Sequence, residues 1–484
     1  MAATANDFQD RRNSKLVRDN VHGMLYLESL PLKFIDTEQF QRLRDLKQLG
    51  LTNMVYPGAV HTRFEHSLGV HWLAGEAINK IKTYQGQDLG IESFDVRTVK
   101  LAGLLHDIGH GPFSHMFESG FLPLVHSGDK WSHEDMSVKM IDYIVDEHNI
   151  EIDPDELKRV KDLILASSKH AAQKSSEEKL FLYDIVANGR TGIDVDKFDY
   201  IERDSRACGL GCNFHFERLM ETMRVIDNEI CYRASEFDIM VDLTINKLFM
   251  TRADLHRTVY THSKVKAIDL MVVDALCKAN AELGIADSIH KPSEFWKLDD
   301  SILKKIETSD KPELKEAKDL ILRIRRRDLY QFCNEYIVPT EYLNNFKNIT
   351  PRDIICSQKG GPVMLKEEDV SVVNLSIDLT NGTKNPLESF LLDACMSSSR
   401  VSFFKDYESE EKLPISAKDI SNLVPSYYQD KIIRVYSKNP DLVAVVSDAF
   451  ENYQIKTYGS KKQVHDTPEK KRRRTSQSSR SLKL

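Results

Sequence analysis

Apolar residues recur every three or four positions over much of the first 290 residues, the spacing typical of amphipathic helices. Residues 40–46 (FQRLRDL) and 157–164 (LKRVKDLI) are examples. Thr37, followed by Gln39 and Phe40, indicates a helix start. The mostly apolar stretch 99–105 is followed directly by His106, a pattern typical of a buried helix whose last residues place side chains in a functional site. We therefore predict a helical core over residues 15–290.

The pattern changes in the C-terminal part of the chain. A Lys- and Glu-rich segment, 294–316, precedes a helical pattern over 317–350. β-Branched residues then cluster at 354–355, 370–379 and 432–436 between Gly, Pro and Asn turns, which indicates strands. The sequence thus predicts a mainly α-helical fold with a smaller α+β C-terminal lobe. A helical extension together with this lobe is expected to occupy residues 291–457. Residues 1–14 and 458–484 are expected to be disordered.

Composition narrows the class of protein without naming a function. The 484 residues are 41% hydrophobic and 29% charged, an ordinary balance for a globular protein. A net charge of -7 argues against a chain built mainly to bind nucleic acid. No apolar run reaches the roughly 18–20 residues that a membrane span needs. We expect a soluble intracellular protein without a membrane segment.

Histidines are unusually dense between residues 61 and 133. They include His61, His66, His106, His110, His115 and His133, and Asp107 follows His106 directly. On one helix, His106 and His110 would share a face, with Gly109 and Gly111 ending the helix. A further carboxylate arrives in GIDVDKFDY as Asp194, Asp196 or Asp199.

Imidazole and carboxylate groups at this density favour a metal centre that activates water. A single histidine, or an HD dipeptide alone, is more often structural than a ligand. Two stretches, HTRFEHS and LLHDIGHGPFSH, followed by an Asp-rich turn, favour a metal-dependent phosphohydrolase instead. The ligand types suit Zn, Fe, Mn or Mg, and the sequence does not choose among them.

Longer motifs resemble one family. RFEHSLG, LLHDIGHGPFSHMF, KWSHED and GIDVDKFDYIERD are similar to those of the HD-domain deoxynucleoside triphosphate (dNTP) triphosphohydrolases, above all the eukaryotic ones with a sterile-alpha-motif domain. The resemblance covers residues 15–438. Because 14 residues precede Lys15, the sterile-alpha-motif domain itself is expected to be missing.

The resemblance implies cleavage of dNTP to deoxynucleoside and inorganic triphosphate. It implies metal ligation by His66, His106, Asp107 and Asp196, and acid–base roles for His110, His115 and His133. Glu118 stands where the family usually has Asp, so its reach to a catalytic histidine is in question. The implied substrate contacts are Gln48, Leu49, Arg63, Lys197, Tyr200, Asp204, Arg252 and Tyr260.

The resemblance also implies regulation. GTP and a dNTP would bind between subunits and assemble a tetramer. The guanine-nucleotide site would comprise Lys15, Asp36, Gln41, Arg44, Arg434 and Lys438. At the second effector site Arg218, Arg233 and His262 match, whereas Ser235, Thr258 and Ser263 replace basic residues. Effector control is therefore expected to be looser.

The sequence leaves two alternatives open. One is an HD phosphohydrolase that acts on another nucleotide, and the other is a nucleic-acid-binding protein with a vestigial site. The basic run 470–474 (KKRRR) fits a nuclear import signal or a weak single-stranded nucleic-acid contact, and it also fits a solvated tail without a role.

Overall fold

The computed structural model describes residues 14–126, 128, 130–168, 178–233, 240–379, 401–413, 427–459 and 461. The chain divides into two compact units, 1–329 with 376–430 and 330–375 with 431–484. The boundary near residue 290 that the sequence suggested therefore differs from this division, which leaves residues 291–329 in the first unit. The basic tail at 470–474 lies outside the described residues.

The first 290 residues are mainly helical. Their strands and helices are β1 (Lys15–Asp19), β2 (Gly23–Leu27), α1 (Ser29–Ile35), α2 (Glu38–Gln41), α3 (Arg63–Gln85), α4 (Ser93–Leu105), α5 (Leu122–Val125), α6 (His133–His148), α7 (Pro154–Ile164), α8 (Tyr183–Val186), α9 (Val195–Ala207), α10 (Phe216–Glu221), β3 (Met223–Ile226), β4 (Glu229–Arg233), α11 (Met240–Leu255) and α12 (Ser263–Leu283). Among the described helices, none is both long and apolar enough to cross a bilayer.

The later elements are shorter and mix helices with strands. They are α13 (Pro292–Phe295), α14 (Ile302–Glu307), α15 (Lys315–Arg325), β5 (Gln331–Ile337), α16 (Pro351–Ile355), β6 (Val370–Asp378), β7 (Ser402–Phe404), β8 (Gln429–Ser437) and α17 (Val443–Tyr458). The expected fold class, mainly α-helical with a smaller α+β region, is confirmed.

Helix α3 is the centre of the first unit. Most of its residues are buried, and they occupy all faces of the helix, so α3 is a core helix rather than an amphipathic surface helix. It packs against α4 and α9, the two helices whose ends carry the other histidines and carboxylates. Three elements that bear candidate ligands therefore meet in one core.

Three predicted elements differ in the structure. The helical pattern at 40–46 becomes the short α2 and a 3₁₀ turn, Arg42–Asp45. Helix α15 ends at Arg325, so the helix predicted through residue 350 is wrong beyond that point and β5 follows. The pair 354–355 ends α16 rather than forming a strand, because the capping box of Thr350 and Asp353 starts a helix there.

The sheets are small. Strands β1 and β2 form an antiparallel hairpin, with Lys15 opposite Leu27. Strand β4 pairs antiparallel with β3 and parallel with β7. In the third sheet β8 lies between β5 and β6. The strands predicted at 370–379 and 432–436 are confirmed, and buried residues such as Tyr336, Ile433 and Phe450 form the core of the second unit.

Candidate active site

The start of α3 and the end of α4 bring the two histidine-rich stretches together. Helix α3 starts at Arg63 behind a capping box of Thr62 and Glu65. Helix α4 ends at Leu105, and His106 is its C-cap residue. His110 lies in the turn that follows, so the prediction that His106 and His110 share a helical face is wrong. Turn residues Gly109 to Ser114 then run towards the π-helical segment Phe117–Phe121.

Gly109 explains why this turn lies so close to α6. A Cβ atom at Gly109 would be 2.2 Å from the backbone nitrogen of Ser137 and 2.3 Å from the carbonyl oxygen of His133. Ser137 also donates its hydroxyl to the carbonyl oxygen of His106 at 2.7 Å. The start of α6, which carries His133, is thereby held against the turn that carries His110.

Four expected metal ligands converge at one point. The Nε2 atom of His66 lies 3.1 Å from Oδ1 of Asp196 and 3.5 Å from Oδ2 of Asp107. The Nε2 atom of His106 lies 3.5 Å from the same Asp196 oxygen and 3.4 Å from Oδ1 of Asp107. His66, His106 and Asp107 also form one of the candidate metal groups among the described residues.

The orientation of both imidazoles fits a cation. The Nδ1–H of His66 donates to Asp199 at 2.7 Å, and that of His106 donates to the carbonyl oxygen of Gly103 at 2.9 Å. Their Nε2 atoms are buried and have no hydrogen-bond partner within the described part of the chain. Two Nε2 lone pairs therefore face carboxylate oxygens, an arrangement that is repulsive without positive charge between them. These residues fit a divalent metal ion.

The pKa of His66 reflects the same demand for positive charge. Burial alone would lower it, but the nearby carboxylates of Asp196 and Asp199 outweigh burial and raise the pKa to about 10. The carboxylates thus favour a cation at this point, as a proton on the imidazole or as a metal ion beside it.

Three further histidines form a stack beside the ligands. The rings of His110 and His133 are stacked with centroids 3.8 Å apart, and His115 meets both edge-on. Nε2 of His110 lies 3.3 Å from Oδ1 of Asp107, which connects this stack to the ligand group. Nδ1 of His133 donates to Oε2 of Glu118 at 2.7 Å. The glutamate that replaces the usual Asp therefore does reach a histidine of the expected acid–base set.

The three imidazoles differ in their proton affinity. Burial, followed by repulsion from Arg63 and His133, lowers the pKa of His115 to about 4. The same causes place the pKa of His110 well below its ordinary value. Burial also acts to lower the pKa of His133, but the hydrogen bond to Glu118 outweighs it and raises the pKa. The stack thus combines His133, which favours its protonated form, with His110 and His115, which favour their neutral forms.

A single cleft in the first unit, here called the metal cleft, gathers these groups. Its lining consists of Gln48, Arg63, His66, His106, Asp107, His110, His115, His133, Glu134, Ile164, Ser167, Val186, Ala187, Asp196 and Tyr200. Three of the expected substrate contacts, Gln48, Arg63 and Tyr200, are therefore among its walls. Oε1 of Gln48 is buried and has no hydrogen-bond partner among the described residues.

The other expected substrate contacts are held by different partners. Lys197 pairs with Asp194 at 2.9 Å, and Arg252 donates to the carbonyl oxygen of Asp378 at 2.7 Å. Leu49 precedes the 3₁₀ turn Gly50–Met54. These side chains do not line the cleft as it stands.

Asp204 and Tyr260 form a buried network. The Tyr260 hydroxyl donates to Oδ2 of Asp204 at 2.6 Å, while His61 donates to the other oxygen at 2.6 Å. The His256 ring meets Tyr260 edge-on at 4.9 Å. The spacing of His256 in the sequence does not mark it as a site residue.

Four residues of the expected guanine-nucleotide site lie close together in the first unit and are called here the effector surface. Lys15 pairs with Asp36 at 2.9 Å, and both side chains are exposed. Gln41 donates to the carbonyl oxygen of Ile35 at 2.7 Å and accepts from Arg44 at 2.8 Å. Arg434 and Lys438 belong to β8 and the residue after it, where Arg434 pairs with Glu335 and Lys438 lies over Tyr330.

The residues expected at the second effector site are on three elements. Arg218 lies on α10, and Arg233 ends β4 with its guanidinium over Tyr407. His262 caps α12 by accepting from the backbone N–H of Lys264 at 3.2 Å. Ser235 is outside the described residues.

Comparison with known proteins adds a second line of evidence. A family model described as HD domain matches residues 63–204. The deoxynucleoside triphosphate triphosphohydrolase SAMHD1 homolog of Dictyostelium discoideum is 40% identical over 445 residues, which cover 92% of this chain and 81% of that protein. The human deoxynucleoside triphosphate triphosphohydrolase SAMHD1 is 35% identical over 462 residues, covering 88% and 71%. The chain belongs to the SAMHD1 family.

This membership confirms the resemblance read from the motifs and identifies the chain as an HD-type phosphohydrolase. A putative HD domain-containing protein, L394, of Acanthamoeba polyphaga mimivirus is also similar, at 33% identity over 358 residues, 68% of this chain and 75% of that protein. The matched HD segment contains all four residues that converge on the metal cleft, from His66 to Asp196.

Proposed function

We propose that this SAMHD1-family protein hydrolyses dNTPs to deoxynucleosides and inorganic triphosphate, with a divalent metal ion held by His66, His106, Asp107 and Asp196. The observation that carries the proposal is the convergence of these four side chains with the three stacked histidines in one buried cleft. The similarity to deoxynucleoside triphosphate triphosphohydrolases supports the substrate class.

Several groups in the metal cleft would have a chemical part in such a reaction. A divalent cation held by His66, His106, Asp107 and Asp196 would supply Lewis-acid polarisation of a phosphate oxygen and activation of water. Arg63 donates to Asp107 and to Ser114 Oγ at 3.0 Å, so its guanidinium is fixed where phosphate charge would lie. The Gln48 carbonyl oxygen, which has no hydrogen-bond partner among the described residues, would accept a hydrogen bond from a sugar hydroxyl.

The leaving 5′-oxygen needs a proton, and the stack of histidines supplies candidates for the donor. His133 favours its protonated form because Glu118 stabilises the charge. His115 is neutral at pH 7 and lies edge-on to His133 with ring centroids 5.6 Å apart. We assign His133 with Glu118 as the source of the proton and His115 as the group that passes it on when phosphate is bound.

Selection of deoxyribose would fall to Tyr200 and Tyr260. The Tyr260 hydroxyl is fixed by Asp204, which His61 holds in turn, so the ring has little freedom to move aside. A rigid ring beneath the sugar would exclude a 2′-hydroxyl by lack of room.

We further propose that GTP and a dNTP activate the enzyme by assembling a homo-oligomer, as the family resemblance implies. The exposed Lys15–Asp36 pair and the Gln41–Arg44 pair supply groups for a guanine edge and for phosphates. At the second effector site, uncharged residues such as Thr258 and Ser263 stand where basic residues are expected, which favours looser control of activity by nucleotides. Strict dependence of activity on both nucleotides would contradict that last point.

The decisive experiment is nucleotide turnover by the purified protein. Each of the four dNTPs, the four ribonucleoside triphosphates, cyclic nucleotides and guanosine tetraphosphate is incubated with and without GTP. Released triphosphate is separated from pyrophosphate and phosphate, and the metal content of the same sample is measured. Triphosphate release from dNTPs alone supports the proposal. Turnover of another nucleotide class would overturn the proposal in favour of a different HD phosphohydrolase. No turnover, together with binding of single-stranded nucleic acid, would overturn it in favour of a nucleic-acid-binding protein.

The tail carries a separate proposal. The run 470–474 would direct the protein to the nucleus. Replacing these five residues by Ala in a fluorescent fusion of the full chain should move the signal to the cytoplasm. An unchanged distribution would remove this assignment.

A further inference from the structure

We propose that His22, in the turn of the β1–β2 hairpin, is a positioning residue of the metal centre and acts through Asp199 on His66. The inference rests on the proposed metal site but not on the identity of the substrate. Neither the HD motif nor the spacing of ligands marks His22, which lies outside the matched HD segment 63–204.

Asp199 connects the two histidines. It is fully buried on α9, and each of its oxygens accepts two hydrogen bonds. Oδ2 accepts from Nδ1 of His66 at 2.7 Å and from Nε of Arg203 at 2.8 Å. Oδ1 accepts from Nε2 of His22 at 2.6 Å and from Nη2 of Arg203 at 2.8 Å. With four donors in place the carboxylate has one orientation, and that orientation sets the ring of His66.

The hairpin turn is closed around His22. The His22 side chain is only 4% exposed, and its ring meets Phe216 edge-on. Its backbone N–H donates to Oδ1 of Asp19 at 2.8 Å, while Oδ2 of Asp19 accepts from Arg203 at 2.9 Å. Asp19, Arg203, Asp199 and His22 thus form a closed ring of hydrogen bonds that joins the hairpin to α9.

Helix α3, which carries His66, leaves room for this ring. A Cβ atom at Gly69 would lie 1.9 Å from Oδ1 of Asp199 and 2.6 Å from Nη2 of Arg203. Only glycine therefore permits α3 to approach the carboxylate that receives the His22 hydrogen bond. The same close approach keeps His66, nearly one turn earlier on α3, within reach of Asp199.

Loss of the His22 hydrogen bond has a definite consequence for His66. Oδ1 of Asp199 would keep only the donor from Arg203, so the carboxylate would be less firmly oriented and would hold the Nδ1–H of His66 less rigidly. Hydrogen-bond partners behind metal-binding histidines typically alter metal affinity by about 10- to 100-fold. Because β1 starts at Lys15, the same hairpin also connects the effector surface to the metal centre.

Three variants of the full-length protein test the assignment. His22→Asn retains an amide, but one too short to place a donor at the Nε2 position, whereas His22→Gln places its amide nitrogen there. His71→Ala is the matched control, because His71 is a buried histidine on the same α3 that donates to the carbonyl oxygen of Lys100 at 2.8 Å and does not touch Asp199. Each protein is loaded with Mn²⁺ or Zn²⁺, and metal retention is measured by elemental analysis against increasing chelator.

We expect His22→Asn to lose metal at about tenfold lower chelator concentration than the unmodified protein. His22→Gln should retain it, and His71→Ala should melt at a lower temperature with unchanged metal retention. Equal retention by His22→Asn and the unmodified protein would overturn the inference and leave the metal site standing. Failure of the unmodified protein to bind metal would overturn both. If His71→Ala loses metal as readily as His22→Asn, the effect reflects general destabilisation, and the inference is likewise overturned.

Discussion

The metal cleft and the effector surface contain the same kinds of charged residue, but they hold them differently. In the cleft, Arg63 and Asp107 are 3% and 6% exposed and are bonded to each other and to further partners. On the effector surface, Lys15 and Asp36 are 60% and 59% exposed and make one contact with each other. One pair is fixed before any ligand arrives, and the other is free to exchange partners.

Magnitudes explain the difference. An exposed ion pair contributes about 0–1 kcal/mol, so a nucleotide is able to part Lys15 from Asp36 at little cost. Breaking a buried pair by removing one partner costs about 3–5 kcal/mol, so the Arg63–Asp107 contact persists through ligand exchange. Rigid positioning suits the chemical step, whereas a loosely held pair suits a site that must respond to nucleotide concentration.

The largest expected effect tests the cleft itself. His106→Ala combined with Asp107→Ala removes two of the four converging ligands. Because a metal supplies several kcal/mol of stabilisation to the reaction, dNTP turnover should fall by about 1000-fold or more, with loss of bound metal. His148→Ala, a partly exposed histidine on the same protein, is the control. Substantial dNTP turnover by the double variant would mean that the site is elsewhere.

A smaller effect should follow from the Glu118–His133 pair. In Glu118→Gln the charge that raises the pKa of His133 is lost, so His133 gives up its proton at a lower pH. The alkaline limb of the kcat–pH profile should move to lower pH, and kcat at pH 7 should fall by roughly 10- to 100-fold. Glu118→Asp keeps the charge, so its kcat and its alkaline limb should lie between those of Glu118→Gln and of the unmodified protein. An alkaline limb that does not move in Glu118→Gln would exclude His133 as the proton source.

The sequence predicted the members of the cleft better than their geometry. The family resemblance implied His66, His106, Asp107 and Asp196, whereas the residues alone left Asp194, Asp196 and Asp199 open, and the structure brings the four implied residues together. Their local setting was not predictable, because whether α4 continues to His110 depends on the close approach of α6 at Gly109. His22 was missed for a related reason: its partner Asp199 is 177 residues away, and no local pattern encodes that contact.

Boundaries in the C-terminal region show the same limit. The strands at β6 and β8 were predicted from β-branched runs, yet the helix predicted over 317–350 stops at Arg325. Arg327 adopts a φ of 62°, a left-handed conformation that ends the helical path. Periodicity alone does not reveal such a turn.

The effector surface should give a moderate change that leaves the cleft intact. Lys15→Ala removes one positive charge from the proposed GTP site, so the GTP concentration for half-maximal activation should rise by about tenfold. Activity at saturating GTP should remain near that of the unmodified protein. Lys33→Ala, which removes another exposed lysine, is the control. A large loss of activity at saturating GTP in Lys15→Ala would show that the two regions are not separable in this way.

The smallest expected effect concerns Glu28, whose carboxylate contacts His71 of α3 and Lys100 of α4. Burial raises its pKa, but the hydrogen bond with His71 and the charge of Lys100 outweigh burial and lower the pKa from 4.5 to about 2. A lowered pKa means that the folded state favours the ionised form. Glu28 therefore stabilises the fold above pH 4.5, and this contribution declines as the pH falls towards 2.

Glu28→Gln should lower the melting temperature by a few degrees at pH 7, and the difference from the unmodified protein should shrink between pH 4.5 and 2. Metal retention and kcat should not change, because Glu28 contacts His71 and Lys100 rather than a group of the cleft. His66 and His71 occupy the same helix and both face carboxylates, yet only His66 directs a free nitrogen towards Asp196. A change in metal retention on Glu28→Gln would show that this distinction between a ligand and a structural histidine is wrong.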